Sequence, residues 1–369
     1  MDKKYSAFYF EIVGFCNAKC PYCVTGNKSL KQAGHPSKCI EVNDFQKAID
    51  RLLDIGLMYP GDAVSLFNWG EPTLHPKLNE ILKVLKNRDL NFSISTNASK
   101  IFHFGDAILS NLQMLMFSVS GFSQSSYDRI HGFKFESILN NIRTYCKNVR
   151  KKGSTTKLSM AYHIYQFNIG EIHSARNFCR ENGIDFLPYM AFLSDYYMMK
   201  SYLDQSASSE LMTKIAKDLF LFYVDDLLAK MPKDYICPQY SILAIDEYCN
   251  VLTCCGLPKG HPEYSLGKLS ALSADEIRKG KLSQKTCAGC IKSGQAYWGH
   301  NPFVPSYIYD LAGAAGNKSA RLQNRDYVIQ VLLNSKIYTL GRAFAWQVMY
   351  LLGDLKTFGS RLMRRIRAS

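Results

Sequence analysis

Apolar residues recur with two different periods along residues 5–190. Short apolar runs alternate with longer segments in which apolar residues return every three to four positions, the patterns of strands and of amphipathic helices. The predicted strands are 5–13, 63–68, 91–96, 114–120, 157–164 and 183–190. The predicted helices are 43–55, 76–86, 107–111, 135–150 and 169–181. Strands that alternate with helices predict a parallel α/β sheet with right-handed crossovers, either closed into a barrel or left as an open arc.

The pattern changes after residue 235. Residues 236–300 combine cysteines, turns and short strands, whereas residues 301–369 contain no cysteine and show helical periodicity. We therefore predict three domains, namely an α/β core over 1–235, a small cysteine-rich α+β domain over 236–300 and a basic helical extension over 301–369.

Composition is that of an ordinary globular protein. Apolar residues make up 47% and charged residues 21% of the chain, which argues against wholesale disorder. No run reaches about 18 uncharged apolar residues, so we expect no membrane-spanning helix. The first residues lack the pattern of a secretory signal, and we expect a cytoplasmic protein.

Positive charge is concentrated in the last segment. The formal net charge is +14, and residues 317–369 carry ten Lys or Arg against two Asp, which gives +8. A basic amphipathic helix can lie on an anionic membrane surface or dock its apolar side on the core, and we favour docking. No recognised nucleic-acid module accompanies the charge, so we expect no nucleic-acid partner.

Twelve cysteines in a cytoplasmic chain indicate metal binding rather than disulfides. Cys16, Cys20 and Cys23 follow the first predicted strand on one loop. Thiolates suit zinc or iron–sulfur chemistry. Structural zinc would need a fourth ligand, for which His35 and Cys39 are near enough along the chain, whereas a [4Fe–4S] cluster held by three thiolates would leave one iron open.

A second group of cysteines lies in residues 237–290. Cys287 and Cys290 form a two-residue-spaced pair of the kind that binds metals. Cys254 and Cys255 end the second strand of a predicted hairpin (242–245 and 251–254), so we expect their side chains to point to opposite faces and one of them to be a ligand. Zinc or an iron–sulfur cluster would fit this group.

The first cysteine loop resembles the signature of the radical S-adenosylmethionine (radical SAM) enzymes. Three further segments resemble that family in the same order, each at the end of a predicted strand: Gly70-Glu71-Pro72, Thr96-Asn97, and the run from Phe117 to Gly121. Trp69 stands where the family commonly has glycine.

This resemblance implies a partial (β/α)6 barrel. It implies that Cys16, Cys20 and Cys23 hold a [4Fe–4S] cluster whose open iron is chelated by SAM. One electron would then cleave SAM to a 5′-deoxyadenosyl radical that abstracts hydrogen from a substrate, with ferredoxin or flavodoxin as the electron donor. The residues implied to bind the cofactor are Tyr22, Gly70, Glu71, Pro72, Thr96, Asn97, Ser118 and Ser120.

Residues 236–290 resemble the SPASM/twitch auxiliary-cluster domain of these enzymes. The resemblance implies a second [4Fe–4S] cluster with Cys237, Cys254, Cys287 and Cys290 as ligands, in the shorter, single-cluster version of the domain. Cys249 stands at a turn where that family usually has glycine. Four thiolate ligands leave no open iron, which favours electron transfer or a structural role.

The sequence does not identify the catalytic residue, and the two candidates are Cys39 and His163. Cys39 lies in a loop near the first cysteines, where it could donate hydrogen or be an inert thiol. His163 lies in a predicted strand of the barrel, where it could contact substrate or be a satisfied core histidine.

We expect a small-molecule or carbohydrate substrate that is oxidised or epimerised, with the second cluster assisting electron transfer. Because the first strand begins near Tyr5, we expect no peptide-binding module ahead of the barrel. The alternatives are a radical SAM maturase of peptides or proteins and, from another class, a non-catalytic metal-binding scaffold.

Overall fold

A computed structural model describes residues 5–26, 38–150, 154–191, 193, 196–204, 206–208, 218–219 and 228–300. The strands are β1 Ala7–Phe10, β2 Ala63–Ser65, β3 Asn91–Thr96, β4 Leu112–Val119, β5 Lys157–Ile164, β6 Asp185–Met190, β7 Ile242–Ile245, β8 Asn250–Leu252 and β9 Ser265–Lys268. The helices are α1 Val42–Asp54, α2 Leu78–Lys86, α3 Asp106–Leu109, α4 Gln124–Arg129, α5 Phe135–Arg150, α6 Ile172–Glu181, α7 Tyr196–Leu203, α8 Ala274–Leu282, α9 Lys285–Lys292 and α10 Gln295–His300. The predicted extension over 301–369 and His35 lie outside the described residues.

All nine described strands belong to one sheet with the order β6-β5-β4-β3-β2-β1-β7-β8-β9. Strands β1 to β6 pair in parallel with their neighbours in chain order, which confirms the predicted parallel α/β architecture. Within the described residues the sheet is an open arc whose edges are β6 and β9.

The cysteine-rich segment continues the sheet of the core. Strand β7 pairs in parallel with β1, from Ala7 opposite Ile242 to Phe10 opposite Ile245. Strands β8 and β9 follow in antiparallel register. The pairing covers an edge of β1 that would otherwise present unpaired backbone groups. The cysteine-rich segment is thus joined to the core by main-chain hydrogen bonds between β7 and β1.

Helices pack on the sheet through one apolar face. In α1 the buried side chains are Phe45, Ala48, Ile49 and Leu52, at helical spacing. The Phe45 ring meets Phe10 of β1 edge-on, with centroids 4.9 Å apart. Burying one such ring contributes about 1.5–3 kcal/mol, so α1 fixes the position of β1 and of the loop that follows it.

Several boundaries differ from the predicted ones. The predicted strand 5–13 is shorter, because β1 ends at Phe10. The predicted helix 169–181 begins at Ile172, after a 3-10 turn over Gln166–Glu171. No helix among the described residues is long and apolar enough to cross a membrane.

Candidate active site

The first three cysteines open onto one cavity at the carboxyl ends of the parallel strands. Cys16, Cys20 and Cys23 line a cavity of about 310 Å³ together with the loop after β2 and the ends of β3 to β6. Ligand sites of parallel α/β folds form at this edge of the sheet. We call Cys16, Cys20 and Cys23 the first thiol site.

The loop that carries these thiols is held by backbone hydrogen bonds. The Cys23 N–H donates to the Cys20 carbonyl, and the Lys19 N–H donates to the His131 carbonyl. Burial raises the pKa of Cys16 to about 11, and burial together with the neighbouring thiols raises the pKa of Cys20. Three half-buried thiols that oppose one another's ionisation form a donor set whose thiolate state is stabilised by a metal cation.

Gly70 lies where the loop after β2 packs against the segment that follows β1. A Cβ at this position would lie 1.7 Å from the Val13 carbonyl oxygen, so only glycine fits. The Glu11 carboxylate accepts the backbone N–H groups of Trp69 and Gly70, with N–O distances of 2.6 and 3.2 Å. Burial raises the pKa of Glu11 to about 7.

The Glu71 side chain turns inward and joins two strand ends. It is 2% exposed and accepts hydrogen bonds from the Thr73 and Thr96 hydroxyls at 2.6 and 2.7 Å and from the Asn97 N–H at 2.7 Å. The Thr96 hydroxyl also accepts the Ala98 N–H. Glu71 and Thr96 therefore hold the wall of the cavity, and their polar side-chain atoms are already engaged.

Of the other residues predicted to bind the cofactor, some line the first cavity and some do not. Those that line it are Tyr22, Asn97 and Ser118. Pro72 is buried in a 3-10 turn and is not among the described residues that line the cavity. Ser120 is fully buried and is not among them either, and its hydroxyl has no partner among the described residues.

Two histidines and a tyrosine form the far wall of the cavity. His163 Nε2 is hydrogen-bonded to the Tyr189 hydroxyl, and His131 lines the same cavity with no described partner at Nδ1. Burial lowers the pKa of His131 to about 3 and that of His163 to about 4, so both rings are neutral near pH 7. The structure thus brings His163 to the site, together with His131, which the sequence analysis missed because no spacing pattern distinguishes it.

Cys39 lies away from this cavity. It forms an isolated β-bridge with Val13 and is absent from the described lining. Burial raises the pKa of its thiol. The structure therefore does not bring the two candidates for a catalytic residue together.

A second cavity of about 340 Å³ collects the cysteines of the cysteine-rich segment. Its thiols are those of Cys237, Cys254, Cys255, Cys287 and Cys290, which we call the second thiol site. In the part of the chain that the structure describes, no group of three or more His, Cys, Asp or Glu side chains is arranged to hold a metal ion.

The expectation that Cys254 and Cys255 point to opposite faces is wrong. Strand β8 ends at Leu252, so both residues lie in the following loop and line the same cavity. The Cys254 sulfur accepts the Gly256 N–H at 3.1 Å. Gln239 holds Cys255 through its sulfur and its backbone N–H, at 2.9 and 3.2 Å.

Cys249 occupies the hairpin turn and does not line the second cavity. Its φ is 59°, a left-handed conformation that glycine adopts most readily. Its sulfur lies 3.9 Å from the Asp44 carbonyl of α1. The turn forms despite the side chain, and Cys249 is separate from the second thiol site.

Trp69 lies between the two cavities and lines both. Its indole N–H donates to the Cys255 carbonyl at 2.9 Å, while its backbone N–H is bound by Glu11. The residue that departs from the family's glycine thus joins the loop of the first site to the loop of the second.

Comparison with known proteins agrees with this geometry. The family model of the Radical SAM superfamily matches residues 10–177, and no curated protein matches the chain. Residues 10–177 therefore form a radical SAM domain, and such a domain makes the chain an enzyme. The cofactors that this domain implies are SAM and a [4Fe–4S] cluster.

Solved structures show the same fold at low identity. SuiB from Streptococcus suis bound to S-adenosylmethionine is 16% identical over 77% of this chain and 70% of its own, with a TM-score of 0.51. SuiB bound to its precursor peptide SuiA is 16% identical over 76% of this chain and 68% of its own, with a TM-score of 0.51. Histidine-tagged anSMEcpe with bound AdoMet is 11% identical over 93% of this chain and 98% of its own, with a TM-score of 0.51.

Proposed function

We propose that this enzyme holds its [4Fe–4S] cluster on Cys16, Cys20 and Cys23, binds SAM beside the loop of Gly70 and Glu71, and abstracts hydrogen from an uncharged small molecule or carbohydrate. The observation that carries the proposal is that one cavity collects these thiols, the loop after β2 and the His163–Tyr189 pair.

The first thiol site fits the cluster by the type and number of its donors. Three thiols on one short loop leave an iron open for the amine and carboxylate of SAM, whereas structural zinc would need a closed set of four ligands. When bound, the cluster supplies the electron that cleaves SAM into methionine and a 5′-deoxyadenosyl radical. The protein's part is to hold SAM against the rigid wall formed by Gly70, Glu71 and Asn97, with Tyr22 at its side. Ferredoxin or flavodoxin is the proposed electron donor.

The lining of the first cavity supports an uncharged substrate. Glu71 is the one charged side chain among the described lining residues, and its oxygens already accept hydrogen bonds from the protein. The rest of the wall offers neutral groups such as Ser118, His131 and Tyr189. A phosphate or carboxylate would require a cationic partner, which this described wall lacks, whereas hydroxyl groups can bond to neutral donors and acceptors.

The His163–Tyr189 pair gives the site a proton acceptor. Oxidation of a CH–OH group to C=O removes a hydrogen atom, a proton and an electron. The hydrogen atom goes to the deoxyadenosyl radical, and the neutral His163 ring takes the proton through the Tyr189 hydroxyl, which donates its own proton as it accepts the substrate's. We propose that Cys237, Cys254, Cys287 and Cys290 hold a second [4Fe–4S] cluster, which supplies an acceptor for the electron.

Metal content and SAM cleavage test the proposal. Protein reconstituted anaerobically with iron and sulfide is expected to hold about eight irons and to form 5′-deoxyadenosine from SAM and dithionite. The Cys16/Cys20/Cys23→Ala variant is expected to hold about four irons and to form none. The matched control is Cys39/Cys146/Cys179→Ala, which removes three thiols outside both sites. Zinc in place of iron, with no deoxyadenosine, would favour a metal-binding scaffold.

A label-transfer assay tests the substrate class. Carbon-deuterated cyclitols and monosaccharides, sugar phosphates and peptides are each incubated with enzyme, SAM and dithionite, and the mass of the 5′-deoxyadenosine is measured. Deuterium is expected from a neutral polyhydroxyl compound. Transfer from a sugar phosphate or from a peptide alone contradicts the assignment, and transfer from a peptide supports a maturase instead.

A further inference from the structure

Lys281 is a buried cation beside the second thiol site. It lies near the end of α8 and is 2% exposed. Its ammonium donates to the carbonyls of Leu252 and Thr253, at 3.3 and 3.0 Å, at the end of β8. These two bonds place the charge immediately before Cys254 in the chain.

Two carbonyl partners do not neutralise this charge. A buried ammonium is costly unless an anion compensates it. Among the described residues, no carboxylate forms an ion pair with Lys281. Cys254 and Cys255 follow the Thr253 carbonyl that Lys281 binds, and they line the second cavity together with Cys237, Cys287 and Cys290. Thiolates at this site would supply the compensating anion.

The two thiol sites therefore have opposite electrostatic surroundings. The Glu71 carboxyl lines the first cavity together with Cys16 and Cys20. At the second site, the buried ammonium of Lys281 is held by the carbonyl of Thr253, which precedes Cys254, while Glu263 accepts the N–H groups of Lys285 and Thr286 at the start of α9. Burial strengthens the field of the ammonium because it keeps water away from the charge.

We propose that Lys281 is the fixed counter-cation of the second thiol site and raises the reduction potential of the cluster bound there. This inference rests on the proposed second cluster. Reduction adds one negative charge to a site that four thiolates already make anionic, and a buried ammonium stabilises that charge. The electron comes from the oxidised substrate radical, and Lys281 keeps its proton throughout. The charge difference between the two sites thus favours the second as the acceptor.

The test uses the Cys16/Cys20/Cys23→Ala background, so that only the second site is loaded. Iron and sulfide are measured, and the midpoint potential is determined by a redox titration followed by electron paramagnetic resonance. With Lys281→Met, the ratio of reduced to oxidised cluster at the reference midpoint is expected to fall at least tenfold, about 59 mV for one electron. Lys279→Met removes an exposed lysine from the same helix and is expected to change nothing.

Each outcome bears on a different claim. If the background protein binds no iron, the second cluster itself is wrong. If iron is retained and Lys281→Met has the midpoint of Lys279→Met, the role of Lys281 is wrong. If Lys281→Met loses its iron, the rate of alkylation of the second-site thiols is measured in the metal-free variants. The proposed role of Lys281 requires slower alkylation in Lys281→Met than in Lys279→Met. Lys281→Arg, which keeps the charge, is expected to retain the reference midpoint.

Discussion

The indole N–H of Trp69 donates a 2.9 Å hydrogen bond to the backbone carbonyl of Cys255. Trp69 belongs to the loop after β2 and Cys255 to the loop after β8, and each residue lines the second cavity. Trp69 also lines the first cavity, and the amide of its neighbour Asn68 donates to the same carbonyl at 3.5 Å. We therefore expect the positions of the two loops to depend on each other, with the shorter of these two bonds as the main link.

Trp69→Phe tests this link, because it keeps an aromatic ring and removes the indole N–H. A net loss of about 0.5–1.5 kcal/mol is expected, which corresponds to SAM binding weaker by a factor of roughly 2 to 13 if the loop position limits affinity. The dissociation constant of SAM is measured by calorimetry on reconstituted protein. Trp298→Phe, which changes a tryptophan of the second cavity alone, is the control. Equal affinities in the two variants contradict the proposed link.

Gly70→Ala tests how closely the loop after β2 packs against the segment that follows β1. The added Cβ would lie 1.7 Å from the Val13 carbonyl oxygen, so the loop must move. SAM affinity is expected to fall at least tenfold, about 1.4 kcal/mol or more. Gly105→Ala is the control, since a Cβ there has no neighbour within 4 Å. Unchanged SAM binding in Gly70→Ala would show that this contact does not shape the site.

Glu71→Gln tests the buried carboxylate that joins the strand ends. One Glu71 oxygen accepts the Asn97 N–H, and the other accepts the hydroxyls of Thr73 and Thr96. The NH₂ group of a glutamine at this position would therefore face a hydrogen-bond donor on either side. The free energy of unfolding is expected to fall by about 1–3 kcal/mol. It is measured by urea denaturation, with Glu41→Gln as the control because that side chain is 72% exposed. Coincident unfolding curves for Glu71→Gln and Glu41→Gln would contradict this prediction.

The two histidines of the first cavity predict a decrease in stability at acid pH. Burial lowers the pKa of His163 to about 4 and that of His131 to about 3, from about 6.5 in the unfolded chain. Unfolding therefore takes up protons below about pH 6.5, and each histidine lowers the free energy of unfolding by about 1.4 kcal/mol per pH unit until its folded pKa is reached. In urea denaturation from pH 7.5 to 4.5, the free energy of unfolding of the double variant His131→Gln/His163→Gln is expected to decrease less steeply with falling pH than that of the wild type. Equal slopes for the two proteins would contradict the lowered pKa values of the rings.

Local periodicity was sufficient to predict the core. The amphipathic pattern gives the bounds of α5, β3 and β5 as the structure has them, because each is long and has a continuous buried face. The motifs that follow the strands lie at one edge because parallel strands all end there. That rule places Cys16 near Thr96 without any knowledge of the loops between them.

Features that depend on distant residues were not predictable in this way. The pairing of β1 with β7 joins segments more than 200 residues apart, and neither segment contains a signal for the other. Lys281 has the sequence context of a surface lysine on a polar helix, and its burial follows from where β8 ends. The same loop places Cys254 and Cys255 on one side, because the alternation of a strand stops at Leu252.

The pairing of β1 with β7 has a consequence for biosynthesis. The cysteines of the first thiol site leave the ribosome early, yet β1 lacks β7 as its neighbour until residue 245 has left the exit tunnel. Until then the edge of Ala7–Phe10 is open to pairing with other chains, and a cluster inserted at Cys16 would rest on an unfinished sheet. The sheet around β1 is therefore completed only after the late strand β7 has been synthesised, and the proposed cluster at Cys16 is expected to be inserted most favourably after that point.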